Sequence, residues 1–175
     1  MVPSHLRRLR FVPRWGVVPT IKQQNVAEHC FGVVWVLIWL HDQLQLAPSL
    51  LDIRYAVSHD ALEAVTGDHP SPSKPEVNYI NMPVQKKLVK IADLVEMEMT
   101  LNEETKLGNV ALADVTIDIK MRLNKCVRAT AQDEAFVSRF GSVYNAEEAL
   151  FTALQVLFDS VAVTRHPCME HYRGS

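Results

Sequence analysis

Residues 26–44 constrain the fold most. Val26, Cys30, Val33, Val34, Leu37 and Leu40 recur at three- and four-residue intervals, with one imidazole, His29, set among them. Such spacing places apolar side chains along one face of an α-helix. Asn25, with Glu28 three residues on, has the pattern of a capping box, so a helix is predicted from about Val26 to about Leu44. The run Phe31–Leu40 is too short to span a bilayer and follows Glu28 and His29, so it reads as a buried helix.

The rest of the chain supplies helices to pack against this one. A second is predicted from Ser49 to Gly67, carrying Leu50, Ile53, Ala56, Val57 and Ala61. Between Thr66 and Pro83 stand four prolines, a loop signal. A long helix follows from Val84 to about Glu104, with Leu88, Ile91, Ala92, Val95 and Met99 as its core stripe. Two more are predicted, from Val110 to Ala129 and from Asn145 to Val163, the latter capped by Asn145 with Glu148. No segment alternates as a paired strand does. The expectation is one all-α domain over residues 1–175.

Composition removes several functional classes. The net charge of −2 gives no footprint for a long nucleic acid, though a small anionic ligand needs only local positive charge. Cys30, Cys126 and Cys168 are odd in number and lack CxxC spacing, which argues against a disulfide framework and a thiolate zinc site and fits a reducing cytosol. No secretory signal or membrane span is read, so a cytoplasmic protein is expected, in the host cytoplasm if phage-encoded.

Polar groups on apolar helices carry the chemistry. His29 lies one turn inside the first helix. His59, Asp60 and Glu63 stand at three- and four-residue spacings in the second, and Asp68 follows its end. Asp93 sits mid-way along the third, three residues after Lys90, on a face with Val89 and Met97. A lone histidine is more often a packed residue than a ligand, and a mid-helix aspartate more often a solvated one. Together, two histidines and two aspartates from three helices could converge on a divalent ion that keeps positions open for water and substrate. Glu96 to Thr100 reads as a half-buried helix face rather than a binding site. His5, His41, His69, His166 and His171 have no partner pattern.

NVAEHC at 25–30, SHDALEAVTGDHPSPSK at 58–74, KIADLVE at 90–96 and the Arg14–Trp15 pair resemble the motifs of HD-domain phosphohydrolases. The similarity is greatest to bacterial 5'-deoxynucleotidases of the YfbR type and to their compact phage relatives, the dATP triphosphohydrolases. It covers about Arg14 to Leu107. The resemblance implies a helical HD-domain fold and a metal held by His29, His59, Asp60 and Asp93. It implies that Glu63 holds or deprotonates the attacking water, with Asp68 supporting that step or a metal. Arg14, Lys74 and Lys90 would contact phosphate, Trp15 the sugar or base, and Val17 the base. The spacer from Asp60 to Asp93 is shorter than in the family, which leaves Asp114 and Asp118 as alternatives. The cofactor expected is Zn, Co or Mn, with room for a second ion, Mg.

Compact length and the short spacer favour a dATP triphosphohydrolase, releasing deoxyadenosine and triphosphate. The alternatives are a 5'-deoxynucleotidase acting on deoxynucleoside monophosphates and a non-enzymatic HD-like ligand-binding module. A cyclic-dinucleotide phosphodiesterase lacks its Gly-Tyr-Pro tripeptide here, and a HExxH protease is excluded because no histidine precedes a glutamate. A small deoxynucleotide is the expected partner, with no nucleic acid polymer and no membrane, and the apolar helices make a homo-oligomer the expected assembly.

Overall fold

The computed structural model describes residues 6–68, 79 and 82–163. These form seven α-helices: α1 (Val26–Gln43), α2 (Leu50–Ser58), α3 (Glu63–Thr66), α4 (Val84–Lys106), α5 (Ala113–Ala131), α6 (Glu134–Phe140) and α7 (Val143–Val163). Single 3-10 turns at Arg7–Phe11 and Val110–Leu112 complete the order, and no strand occurs among the described residues. The all-α expectation is met. No helix among the described residues is long and apolar enough to cross a membrane.

α4 is the central element, packed against α1, α2 and α5. That position explains why its sequence is apolar beyond one stripe: Val89, Leu94 and Met97 are buried as well as Leu88, Ile91, Ala92 and Val95. Val33, Leu37 and Leu40 of α1 meet Ile91, Val95 and Leu101 of α4 in a core that Ile119, Val127 and Leu150 extend. Each fully buried aliphatic side chain of this kind contributes about 1.5–3 kcal/mol.

Two predicted helix boundaries need correction, and one helix is additional. The second helix is not continuous to Gly67. It ends at Ser58, and residues 59–62 turn through Ala61 N–H to Ser58 O (3.1 Å) and Glu63 N–H to Asp60 O (2.9 Å) before α3 begins. His59 seals the break, because its Nδ1 meets Ala56 O at 2.7 Å. α7 starts at Val143 rather than Asn145, and Ser142 Oγ, not Asn145, accepts the capping bond, from Asn145 N–H at 3.1 Å. α6 is the additional helix, and its signals are ordinary: Asp133 Oδ1 accepts from Ala135 N–H at 3.1 Å, and Gly141 ends the helix at φ 82°.

The segment between the first 3-10 turn and α1 loops out and returns. Val26 N–H donates to Val12 O (3.0 Å) and Arg14 N–H to Gln24 O (2.8 Å), closing the loop at its base. Glu104, at the far end of α4, pins its other side. Its carboxylate accepts from Ile21 N–H and Lys22 N–H, both at 2.7 Å, and from Asn109 Nδ2 at 2.8 Å. Burial pushes the Glu104 pKa upward, but the Ile21, Asn109 and Lys22 donors outweigh it and hold the value below the ordinary glutamate range.

A folded pKa below the unfolded one stabilises the protein above the unfolded value, and that stability is lost as pH falls through the folded value. Glu104→Gln places an amide NH2 against a backbone N–H. It is expected to lower unfolding free energy by about 1–3 kcal/mol at neutral pH, as an unsatisfied buried group does. Denaturant melts on the acid side should show the gap between the two proteins closing, because protonation of Glu104 has already removed the same acceptor.

Candidate active site

His29 of α1, His59 and Asp60 of the turn after α2, and Asp93 of α4 converge. His29 Nε2 lies 3.1 Å from Asp93 Oδ1 and 3.6 Å from Asp60 Oδ2. His59 Nε2 lies 3.3 Å from Asp60 Oδ2 and 4.0 Å from Asp93 Oδ1. The two rings meet edge to face with centroids 5.4 Å apart. One ligand atom each from His29, His59 and Asp93 falls within 4.8 Å of the others, a grouping able to hold a metal ion.

Hydrogen-bond chemistry fixes how the two imidazoles face this cluster. A carbonyl oxygen only accepts, so His59 Nδ1 carries a proton toward Ala56 O. An ionised carboxylate likewise only accepts, so His29 Nδ1 carries a proton toward Glu96 Oε2. In the neutral rings both Nε2 lone pairs therefore point inward. Both Nε2 atoms are buried, and neither has the alignment of a hydrogen bond despite the nearby carboxylates. Two inward lone pairs beside two carboxylates are a nitrogen–oxygen donor set suited to a divalent cation.

The charges agree with that reading. Burial opposes ionisation of Asp93, but the Lys90 ammonium and the two imidazoles outweigh it and hold its pKa well below the usual carboxylate range. Burial likewise opposes ionisation of Asp60, but His59 beside it keeps its pKa low. Burial opposes the His59 cation, yet the Asp60 and Asp93 carboxylates raise its pKa. The cluster thus holds two anions, whose field favours positive charge at the centre they share with His59.

Arg14 is buried, and its Nη1 donates to Asp60 Oδ2 at 3.3 Å. Among the described residues its buried Nε has no hydrogen-bond partner. Trp15 adopts φ 63°, in the left-handed region that a bulky residue rarely enters. Its backbone N–H donates to Asp68 Oδ2 at 3.0 Å, and its ring is buried in the core cluster. Glu63 is buried at the start of α3. Burial, with the negative charges of Asp60, Glu63 and Asp93 outweighing Arg14, pushes the Cys30 thiol up to about 12. Cys30 is therefore a thiol at neutral pH, and these four charged side chains share its neighbourhood.

Lys90 Nζ pairs with Asp93 Oδ2. Val17 is 68% exposed on the loop beyond Trp15. Lys74 and His69 lie outside the described residues. Asp114 is exposed, and Asp118 pairs with Arg122 of its own helix at 2.8 Å, so the structure brings neither alternative to the cluster.

Glu96 corrects the reading of 96–100 as a half-buried face. It is 8% exposed, contacts His29 Nδ1 and accepts from Gln24 Nε2 at 2.7 Å. Its spacing from Asp93, three residues along one helix, is the signal that was available. Gly32 of α1 faces it, and a Cβ there would stand 2.8 Å from Glu96 Cγ.

The chain is similar in sequence and in fold to known proteins. Residues 3–86 match the family model described as 5'-deoxynucleotidase YfbR-like. A 5'-deoxynucleotidase of Erwinia tasmaniensis is 35% identical over 119 residues, 63% of this chain and 58% of that protein. A dATP triphosphohydrolase of Salmonella phage PMBT28 is 33% identical over 90 residues, 46% of each chain. The chain spans about half the length of the curated relatives it matches. The HD phosphohydrolase DatZ of cyanophage S-2L, solved with dA and one catalytic Zn2+ ion, superposes with a TM-score of 0.67 at 19% identity, covering 91% of this chain and 98% of that one. The described helices therefore have the fold of an HD phosphohydrolase, and the N-terminal half is YfbR-like in sequence.

Proposed function

We propose that this chain is a metal-dependent deoxynucleotide phosphohydrolase, and that it splits dATP into deoxyadenosine and triphosphate. The observation that carries the reading is the pair of imidazoles whose buried Nε2 atoms face Asp60 and Asp93. His29, His59, Asp60 and Asp93 would hold the cation, with zinc, cobalt and manganese all suited to the donors, and Mg would be the second cation if one binds. Such a cation supplies polarisation of a phosphoryl oxygen and a lowered pKa for a nearby water.

The chain's own residues do the rest. Glu63 orients that water and accepts its proton as the oxygen adds to the α-phosphorus. The bond from phosphorus to the 5' oxygen breaks, and the departing oxygen gains the proton that completes the deoxyadenosine hydroxyl. Arg14, fixed by Asp60, donates from its unpartnered Nε to a phosphate oxygen as charge builds there. Asp68 holds the backbone of Trp15, which sets the loop carrying Val17 against the base. Lys90 and Lys74 neutralise phosphate charge. The setting is the cytoplasm of the cell or of a phage host, and the exposed Phe31–Trp35 pair of α1 offers apolar surface for self-association.

Two relatives support different phosphate counts. The phage relative is named a dATP triphosphohydrolase, which supports release of triphosphate. The YfbR-like model and the Erwinia relative support removal of one phosphate from a deoxynucleoside monophosphate.

A panel of deoxynucleoside mono-, di- and triphosphates, assayed with Zn2+, Co2+ or Mn2+ and resolved by chromatography, separates them. The expected result is triphosphate and deoxyadenosine from dATP. Inorganic phosphate from monophosphates alone moves the assignment to a 5'-deoxynucleotidase. Binding without turnover of any substrate moves it to an HD-like ligand-binding module.

A further inference from the structure

A chain of oriented hydrogen bonds runs behind His29, on the side away from the carboxylate cluster. An indole nitrogen can only donate, and Trp15 Nε1 donates to Gln24 Oε1 at 3.2 Å. That contact fixes the Gln24 amide, so its Nε2 is the atom facing Glu96 Oε1, at 2.7 Å. Glu96 then presents Oε2 to His29 Nδ1. Thr100 Oγ1 also donates to Glu96 Oε1, at 3.4 Å. Every group in the series has its donor and acceptor roles set by the one before it. Gly32 leaves the room this requires, since a Cβ at that position would collide with the Glu96 methylene.

We propose that Glu96 and Gln24 are positioning residues, which hold His29 as the Nδ1-protonated tautomer with Nε2 turned to the cation and tie that orientation to the Trp15 loop. The inference rests on the reading of His29 as a metal ligand. Its physical basis is that an imidazole has one lone pair when neutral, and the partner of one nitrogen decides whether the other can ligate. A carboxylate partner also raises the basicity of the ligating nitrogen. Because Trp15 sits on the loop beside Arg14, an altered indole position reaches the ligand through only two intervening side chains.

The test exchanges the two side chains. Glu96→Gln sets an amide NH2 either against the Gln24 amide, donor to donor, or against His29, where it favours the tautomer with a proton on Nε2. Zn2+ affinity, measured by competition with a chromophoric chelator, should fall about 10- to 100-fold, the range of changes behind a metal-bound histidine. In Gln24→Glu/Glu96→Gln the order of donors and acceptors is restored. Position 24 accepts from Trp15 and from the new amide, whose oxygen accepts from His29.

The double variant should recover most of the lost affinity, and imidazole 15N shifts should report Nδ1 protonation of His29 in the original chain and the double variant, with the Nε2-protonated tautomer gaining population in the single one. Wild-type Zn2+ affinity in Glu96→Gln with His29 still protonated at Nδ1 overturns the inference. So does a double variant, folded by circular dichroism, that binds no better than the single. If His59→Ala also keeps its Zn2+, the metal centre itself is wrong, which is a different failure from that of the positioning chain.

Discussion

Asp93→Asn is expected to weaken binding of a divalent cation by more than the roughly 10- to 100-fold that changes behind a ligand produce. Asp118→Asn should leave that affinity unmeasurably changed. Asp93 is 6% exposed, and its Oδ1 stands within 4.0 Å of both inward Nε2 atoms. Replacing it removes a negative charge from a site where low dielectric strengthens every ionic contact. The change also strands Lys90, whose ammonium pairs with Asp93 Oδ2. Asp118 is paired with Arg122 on the outer face of α5 and touches none of the four convergent residues through any described contact. Calorimetric titration with Zn2+ on both variants decides the matter. A site emptied by Asp118→Asn and full in Asp93→Asn would return the fourth ligand to α5.

The separation of those two aspartates shows what periodicity could and could not deliver. Val89 and Met97 bracketing Asp93 on the face opposite the stripe implied a helix covered on both sides, and α4 is covered by α1, α2 and α5. That reading needed only the rule that apolar residues on two faces demand two neighbours. The break after Ser58 was not legible in the same way, because residues 58–66 contain neither proline nor glycine. His59 spends its Nδ1 proton locally, on Ala56 O, and its Nε2 side then meets His29 of α1 and Asp93 of α4, contacts that helical periodicity does not report. A continuous helix would have kept His59 and Glu63 one above the other.

Glu96 was hidden for a related reason. In isolation EMEMT alternates acidic and apolar residues, as a helix at a wet boundary does. Only the packing of α1 on α4, with Gly32 at the contact, brings the carboxylate under His29. Conversely, the capping box at Asn25 and Glu28 is a local device, and it forms as its residue types dictate.

Glu63→Gln should lower turnover by about two to four orders of magnitude while Zn2+ affinity and substrate binding stay close to those of the original chain. This follows from what the substitution removes. Gln keeps the volume and one acceptor oxygen of Glu63 but cannot take a proton from water, and general-base losses fall in that range. At 1.36 kcal/mol per tenfold the barrier rises by about 3–5 kcal/mol. Glu63 is only 4% exposed and opens α3 directly after the turn that carries His59 and Asp60, so small movements of that turn carry the carboxylate with it.

A fall in turnover alone would not distinguish a lost base from a displaced turn. The distinguishing measurement is the Zn2+ titration run beside the kinetics: a displaced turn moves His59 and Asp60 and weakens the metal, whereas a lost base does not. Near-normal turnover with full metal binding would show that the proton goes elsewhere. The next residue to change is then Asp68, whose Oδ2 accepts from the Trp15 amide.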